Sequence, residues 1–309
     1  MGYWIKNYLK LIRWPNLLMT IVALWVHWYF LIYSALKSHQ VAAQMNHAGI
    51  FFLGSVFACV MGAGYVINDI FDVDIDAINK GKNQTLNQQI SISSAKRLYW
   101  WLNGIAFIFA IALGLVYHQL RYWFLLPVVI GALYLYSKYL KKQALTGNLL
   151  ISLLCGAVLL LPMWFEHDSL ISVNTEFYTE ISKRFYICFA FAFFLTLIRE
   201  LIKDQEDIVG DRAWNSKTLP IVWGMRNTDL LVRILLLLCL ALSLYAGMIN
   251  RSNWLSFLLI NGILSSSLLF GLLSPLLGFP MSYTRQSKNI KIIMALGMIL
   301  LPIVLKYMD

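Results

Sequence analysis

Charge is scarce in this chain, and negative charge scarcest. Of 309 residues only 13% are Asp, Glu, Lys or Arg, with 15 acidic against 25 basic side chains. Soluble globular domains carry about a quarter charged residues, so that class is excluded. Cysteine is also sparse: Cys59, Cys155, Cys188 and Cys239 each fall in an apolar run, with no metal or redox spacing. They read as small buried side chains, and no disulfide framework is implied. Near the N-terminus no short apolar core runs into a small-residue cleavage site, so no removable signal peptide is expected. The net charge of +10 forms no contiguous basic strip, which argues against nucleic-acid binding.

What the chain has in abundance is apolar sequence, 60% of its residues. Runs of about 20 such residues are long enough to cross a bilayer as helices, which satisfy their own backbone hydrogen bonds there. Nine are found, at 14–34, 48–71, 98–117, 122–137, 146–165, 185–202, 230–249, 253–274 and 290–307. The expectation is an all-α integral membrane protein, one domain over residues 1–309, built as a nine-helix bundle. Trp14, Trp100, Trp101, Tyr122, Trp123, Trp164 and Trp254 fall at run ends, where aromatic rings anchor at the interface. Basic residues gather before the first run and in the loops after runs two, four, six and eight. The positive-inside rule then puts the N-terminus in the cytoplasm and the C-terminus outside, with the plasma (inner) membrane of a prokaryote as the expected location.

Against this background two stretches share one spacing, D-x-x-D-x-x-x-D: Asp69, Asp72 and Asp76 after Asn68, and Asp204, Asp207 and Asp211. A carboxylate at the centre of a membrane helix costs roughly 2.5–3.5 kcal/mol on insertion scales, so acids collect beside lipid where a cation compensates them. Both stretches fall at the cytoplasmic ends of their runs, the second and the sixth. Four runs separate them, which suggests parallel repeats, spans 1–4 and 5–8, with one span appended. Continued as helix, the first stretch would place Asn68, Asp72 and Asp76 on one face at i, i+4 and i+8; Gly210 weakens the helix in the second and points to a turn. Mg²⁺ favours one or two protein carboxylates, waters and phosphate oxygens. With Arg13, Lys80, Lys82, Lys138, Lys141, Arg199, Lys203, Arg212 and Lys217 expected on the same side, the acids suggest a diphosphate site.

Two other readings are weaker. Asp72, Asp74 and Asp76 alternate like the first ligands of an EF-hand, but Ala77 replaces the turn glycine and Asn83 the closing glutamate. A cation-coupled transporter, the alternative of another class, would carry acids near mid-membrane, and the runs here have almost none.

These residues resemble the UbiA superfamily of intramembrane prenyltransferases. Its N-D-x-x-D-x-x-x-D signature reads as Asn68, Asp69, Asp72 and Asp76, followed by Asn79-Lys80. Its D-x-x-x-D reads as Asp207 and Asp211 inside R-E-x-x-K-D-x-E-D-x-x-G-D from Arg199, then Lys217-Thr218-Leu219-Pro220. Arg13-Trp14-Pro15-Asn16, Tyr134 with Lys138, and Leu140-Lys141-Lys142 with Gly147-Asn148 match in order, so the likeness covers nearly the whole chain.

The resemblance implies transfer of a polyprenyl group from its allylic diphosphate to a lipophilic acceptor, with Mg²⁺ as cofactor and membrane lipid as surroundings. Asn68, Asp72, Asp76, Asp207 and Asp211, with Asp204, would hold the metal. Arg13, Lys80, Lys82, Lys138, Lys141, Lys203 and Lys217 would grip the diphosphate, and Tyr65, Tyr134 and Tyr136 would steady the allylic carbocation. One departure stands out: where the family continues N-K-P-x-R-P, this chain has Asn79-Lys80-Gly81-Lys82-Asn83-Gln84, so Asn83 replaces the usual arginine. Lysine gives a point charge in place of a two-pronged fork, which weakens the expected grip of that loop. The second signature is most similar to the digeranylgeranylglyceryl-phosphate synthase branch, which implies a prenylated glycerol phosphate as acceptor; an aromatic ring, as in quinone biosynthesis, stays open.

Overall fold

The computed structural model describes residues 2–81, 85–119, 121–249, 265–273 and 282–306. Regular structure there is helical, the only β-type pairing among the described residues being the isolated bridges Leu86–Ile90 and Gln143–Lys217. Among the described residues seven helices are long and apolar enough to cross a membrane: Trp14–Ser38, His47–Phe71, Ile92–Val116, Thr146–Phe165, Thr175–Glu206, Met225–Ala246 and Tyr283–Leu305. The expected fourth span is present as the helix Arg121–Lys138, shorter in its apolar part. The expected eighth lies mostly outside the described residues, which include the helix Ser266–Leu273.

Several helices extend past the apolar runs because polar residues cap them. Asn46 accepts from Gly49 N, Ser91 from Ser94 N, Asn174 from Phe177 N and Ser282 from Arg285 N. Each side chain satisfies a backbone N–H that has no partner within its own helix. The sixth expected run, 185–202, thus becomes the 32-residue helix Thr175–Glu206.

The chain forms two compact units. The first comprises Met1–Trp25, Met45–Leu150 and Asp207–Thr218. Its helices His47–Phe71, Ile92–Val116 and Arg121–Lys138 pack on one another. Gly54 allows the first span close, since a Cβ there would lie 3.1 Å from the Cα of Ile21. Small residues permit such backbone approach where lipid removes the hydrophobic drive for association. At one end, Leu11, Ala63, Val66, Ile67, Leu86, Ile90, Ala95 and Tyr99 form a buried apolar cluster. Beside it the chain breaks at Asp72 and resumes as the short helix Val73–Lys80, against which the short helix Ile208–Ala213 packs.

The second unit comprises Val26–Gln44, Ile151–Glu206 and Leu219–Asp309. Thr175–Glu206 is its central helix, packed against Tyr283–Leu305, Met225–Ile249 and His167–Val173 through buried Ile181, Phe185, Leu195 and Leu201. A π-helical turn at Trp28–Tyr33 presents Trp28, fully buried, to Glu166, which accepts from Trp28 Nε1 at 3.0 Å and from Gln44 N at 2.7 Å. Glu166 itself is a break between two helices, with φ −98° and ψ 10°.

Candidate functional site

The first acidic stretch does not continue as one helix. The span ends at Phe71, and Asp72 takes φ −97° and ψ 4° before Val73–Lys80 begins. The ladder survives this kink, with Asp72 N donating to Asn68 O at 3.0 Å and Asp76 N to Asp72 O at 2.7 Å. Asn68 and Asp72 therefore remain neighbours: Asn68 Nδ2 donates to Asp72 Oδ2 at 2.8 Å. Asp74 is exposed, while Asp76 is half-buried.

The second stretch repeats the device. Thr175–Glu206 ends, Asp207 takes φ −92° and ψ 6°, and Ile208–Ala213 follows. Gly210 is inside that helix and not in a turn, contrary to the sequence expectation. Its requirement is spatial, because a Cβ there would lie 2.5 Å from the amide atoms of Asn79. Asn79 Nδ2 donates to Asp207 O at 3.3 Å and Gly210 N donates to Asn79 Oδ1 at 2.9 Å, so one asparagine joins the two acidic segments.

Between them stands Lys141. Its 3₁₀ turn, Leu140–Lys142, is folded back on the start of the next helix, where a Cβ on Gly147 would meet Leu140 O at 2.8 Å. The strand-like contact of Lys217 N with Lys142 O, 2.8 Å, fixes the same turn from the other side. Lys141 Nζ pairs with Asp72 Oδ2. Burial alone would lower the Lys141 pKa, but Asp72, and beyond it Asp76 and Asp207, outweigh that and hold the ammonium above its ordinary value. Asp211 is 7% exposed; burial pushes its carboxyl up to about 6, Lys141 pulls it down, and Asp207 and Asp72 push it up. Asp72, Asp76, Asp207, Asp211 and Lys141 are thus one electrostatic cluster.

Other expected site residues have different partners. Arg13, at φ 53° between two helices, donates to Asp69 at 3.1 Å and lies 4.4 Å over the Tyr65 ring, whose hydroxyl accepts from Asn16 at 2.9 Å. Asp69 is therefore an ion-pair partner, which the motif did not reveal. Lys138 Nζ lies 4.9 Å from the Tyr139 ring centre and 5.8 Å from that of Tyr134, which packs edge-on to Phe71. Tyr136 is half-buried and the Lys217 side chain exposed. Asp204 and Lys203 belong to the second unit, where Lys203 lies 3.8 Å from Glu200, itself paired with Arg199. Lys82, Asn83 and the Lys80 side chain lie outside the described residues.

Whether these residues suit a metal is tested by their bare oxygens. Among the described residues no three His, Cys, Asp or Glu side chains converge as a ready-made cage. However, Asp72 Oδ1 and Asn68 Oδ1 are buried acceptor atoms without a hydrogen-bond donor. Such atoms are costly unless something positive meets them. Acceptor oxygens of this kind on two residues in contact fit a hard cation that completes its shell with water and phosphate, as Mg²⁺ does. Of the six residues expected from sequence, Asn68 and Asp72 are in direct contact and Asp76, Asp207 and Asp211 belong to the same electrostatic cluster, while Asp204 falls in the second unit.

Comparison with known proteins bears on what such a site is for. The family model of the UbiA prenyltransferase family matches residues 30–276. A digeranylgeranylglyceryl phosphate synthase of Saccharolobus solfataricus is 33% identical over 241 residues, covering 77% of this chain and 76% of that protein. A solved structure concerned with digeranylgeranylglyceryl phosphate synthase in membranes superposes with a TM-score of 0.63 at 24% identity, covering 100% of this chain and 99% of that one. A UbiA homologue of Archaeoglobus fulgidus, bound to GPP and Mg²⁺, gives a TM-score of 0.62 at 15% identity, covering 97% of this chain and 99% of that one.

Proposed function

The chain belongs to the UbiA prenyltransferase family and is a membrane-embedded prenyltransferase; from that premise we propose that its acidic cluster holds Mg²⁺ on an allylic polyprenyl diphosphate and that the acceptor is a prenylated glycerol phosphate. The observation that carries the site is the pair of buried oxygens, Asp72 Oδ1 and Asn68 Oδ1, on residues electrostatically coupled to further carboxylates through Asp72 and Lys141. Asp76, Asp207 and Asp211 are read as the other metal-side residues, with Asp204 assigned by the motif alone. Bound there, Mg²⁺ would offset the charge that develops on the departing diphosphate. Lys141, which neutralises Asp72 in the metal-free protein, would turn to phosphate oxygens, with Arg13, Lys80, Lys82, Lys138, Lys203 and Lys217 as further cationic partners. Tyr65 and Tyr134 already present their faces to the cations of Arg13 and Lys138, and with Tyr136 are read as platforms for a positive allylic carbon.

The acceptor rests on the Saccharolobus relative, a digeranylgeranylglyceryl phosphate synthase. The pairing of GPP with Mg²⁺ in the Archaeoglobus protein, on the same fold, agrees with the donor set here. We further read the cluster and the N-terminus as cytoplasmic, the C-terminus as external, and the membrane as a prokaryotic plasma membrane, on the distribution of basic residues.

The test is transfer of label from radiolabelled geranylgeranyl diphosphate by the purified full-length protein with Mg²⁺. Geranylgeranylglyceryl phosphate and a set of aromatic acids serve as competing acceptors. Labelled diether phosphate, abolished by a chelator, is expected. Product on an aromatic ring alone would overturn the acceptor, and no product on any acceptor would overturn the activity.

A further inference from the structure

Asp207 is the residue at the N-cap of the helix Ile208–Ala213, yet its carboxylate does not cap that helix. An aspartate in that position ordinarily accepts from the backbone N–H of the second or third helical residue. The third residue here is Gly210, and its N–H goes instead to Asn79 Oδ1, 2.9 Å away. The other end of the same amide, Nδ2, donates to Asp207 O at 3.3 Å. Asn79 sits on Val73–Lys80, the helix that carries Asp76, 131 positions before Gly210 in sequence. The contact is as close as glycine permits, for a Cβ on residue 210 would stand 2.5 Å from both amide heteroatoms.

We infer that Asn79 is a positioning residue that caps the second acidic segment in place of Asp207 and clamps it to the first. Two jobs follow from one planar group. The clamp fixes the separation between Asp72–Asp76 and Asp207–Asp211, which side-chain packing alone would leave looser. The borrowed cap keeps the Asp207 carboxylate in the cluster, where it acts on Lys141 and Asp211. Asparagine suits both jobs because it offers a donor and an acceptor on one rigid amide. Alanine at 79 would strip the cap, and the nearest replacement is Asp207 itself, drawn out of the cluster to serve its own helix. Gly210 is the matching half of the device, chosen for space and not for backbone conformation.

This inference rests on the reading of the cluster as a Mg²⁺–diphosphate site, and the experiment separates the two. Binding of inorganic pyrophosphate to the detergent-purified full-length protein is measured by calorimetry at a series of Mg²⁺ concentrations, beside the thermal midpoint of each protein. The variants are Asn79→Ala, Gly210→Ala and the double variant. Asn79→Ala is expected to raise the Mg²⁺ needed for half-maximal binding by about ten- to hundred-fold, the usual effect of losing a group that orients a metal ligand. Its thermal midpoint should move by only a few degrees. Gly210→Ala should show a similar or larger loss, because its methyl group displaces the Asn79 amide. The double variant should match Asn79→Ala, since alanine at 79 makes room for the methyl and removes what it disturbed.

Multiplying losses in the double variant would overturn the inference. So would a lowered thermal midpoint in Asn79→Ala with an unchanged Mg²⁺ requirement, which marks a purely structural role. Should Gly210→Ala fail to fold, Asn79→Ala decides by itself. Mg²⁺-dependent pyrophosphate binding that is the same in wild type and Asn79→Ala sinks the positioning role and leaves the site intact. Its absence from the wild type sinks the site reading and the inference with it.

Discussion

Lys141 and Asn68 both donate to the same oxygen, Oδ2 of Asp72, and leave Oδ1 of that carboxylate bare. One oxygen is thus committed within the protein, while the other is the one the proposed function gives to a cation. Asp72 is 2% exposed, so the ammonium is what makes its charge tolerable in the absence of metal.

Lys141→Met is therefore expected to destabilise the metal-free protein by about 3 kcal/mol, the low end for a broken buried ion pair, because Lys141 keeps some solvent contact. Added Mg²⁺ should raise the thermal midpoint of the variant more than that of the wild type. The double variant Lys141→Met, Asp72→Asn should recover much of the lost stability. Thermal melts with and without Mg²⁺ check all three, and equal Mg²⁺ shifts in variant and wild type would break the link.

The two neighbouring aspartates Asp72 and Asp74 should behave oppositely. Asp72→Ala removes a member of the cluster and is expected to lower prenyl transfer by about 10³-fold, the scale of losing one preorganised electrostatic group. Asp74 is exposed, and Asp74→Ala should leave the rate within about twofold. Steady-state rates on the two variants, at saturating Mg²⁺, suffice.

Asp211 predicts a pH dependence. Its carboxyl has an ordinary value of 3.8 and is pushed up to about 6 in the folded protein. Between those values the folded state holds a proton that the unfolded state has lost. From this group the metal-free protein thus loses stability as pH rises from about 4 to about 6. Cation binding requires the deprotonated form, so up to about pH 6 this group adds to the rise of Mg²⁺-dependent pyrophosphate affinity with pH, by up to about tenfold per pH unit. In Asp211→Asn the profile should flatten over that window.

Glu166 is expected to matter for stability, with no effect on the Mg²⁺ requirement. Glu166→Ala takes the acceptor from Trp28 Nε1 and Gln44 N in a fully buried setting. At about 1–3 kcal/mol per abandoned donor, the thermal midpoint should fall by several degrees or more. Protein that remains folded at low temperature should keep the Mg²⁺ requirement of the wild type.

Orientation can be tested with single cysteines in place of Asn83, Ala213 and Gln40. The first two should react with an impermeant maleimide only after the cytoplasmic face is opened, and the third in intact cells. Labelling of position 213 from outside would invert the topology.

Spans and acids were legible in the sequence because each is an extreme. An apolar run long enough to cross a bilayer has little use in a soluble domain, and carboxylates beside lipid need a partner. The kinks at Asp72 and Asp207 were hidden because a residue at φ near −95° and ψ near 5° keeps the i to i−4 hydrogen-bond ladder and leaves no composition signal. Asn79 was hidden for another reason: its role exists only once segments 131 positions apart meet. Arg13 illustrates a third limit, since its sequence surroundings carry no sign of the ion pair it makes with Asp69, 56 positions away. Gly147 had been visible only as a motif letter, and its cause is the carbonyl of Leu140 pressed against it.

The helix break occupied by an acid occurs at Asp72, at Asp207 and again at Glu166, with nearly the same backbone angles. Only two of the three are read as chemical. A search for active centres that keyed on acidic breaks in membrane helices would therefore select an architectural joint along with the reactive pair. What separates them is the company of the carboxylate: neutral N–H donors meet both oxygens of Glu166, whereas Asp72 has an ammonium and an amide on one oxygen and no hydrogen-bond donor on the other.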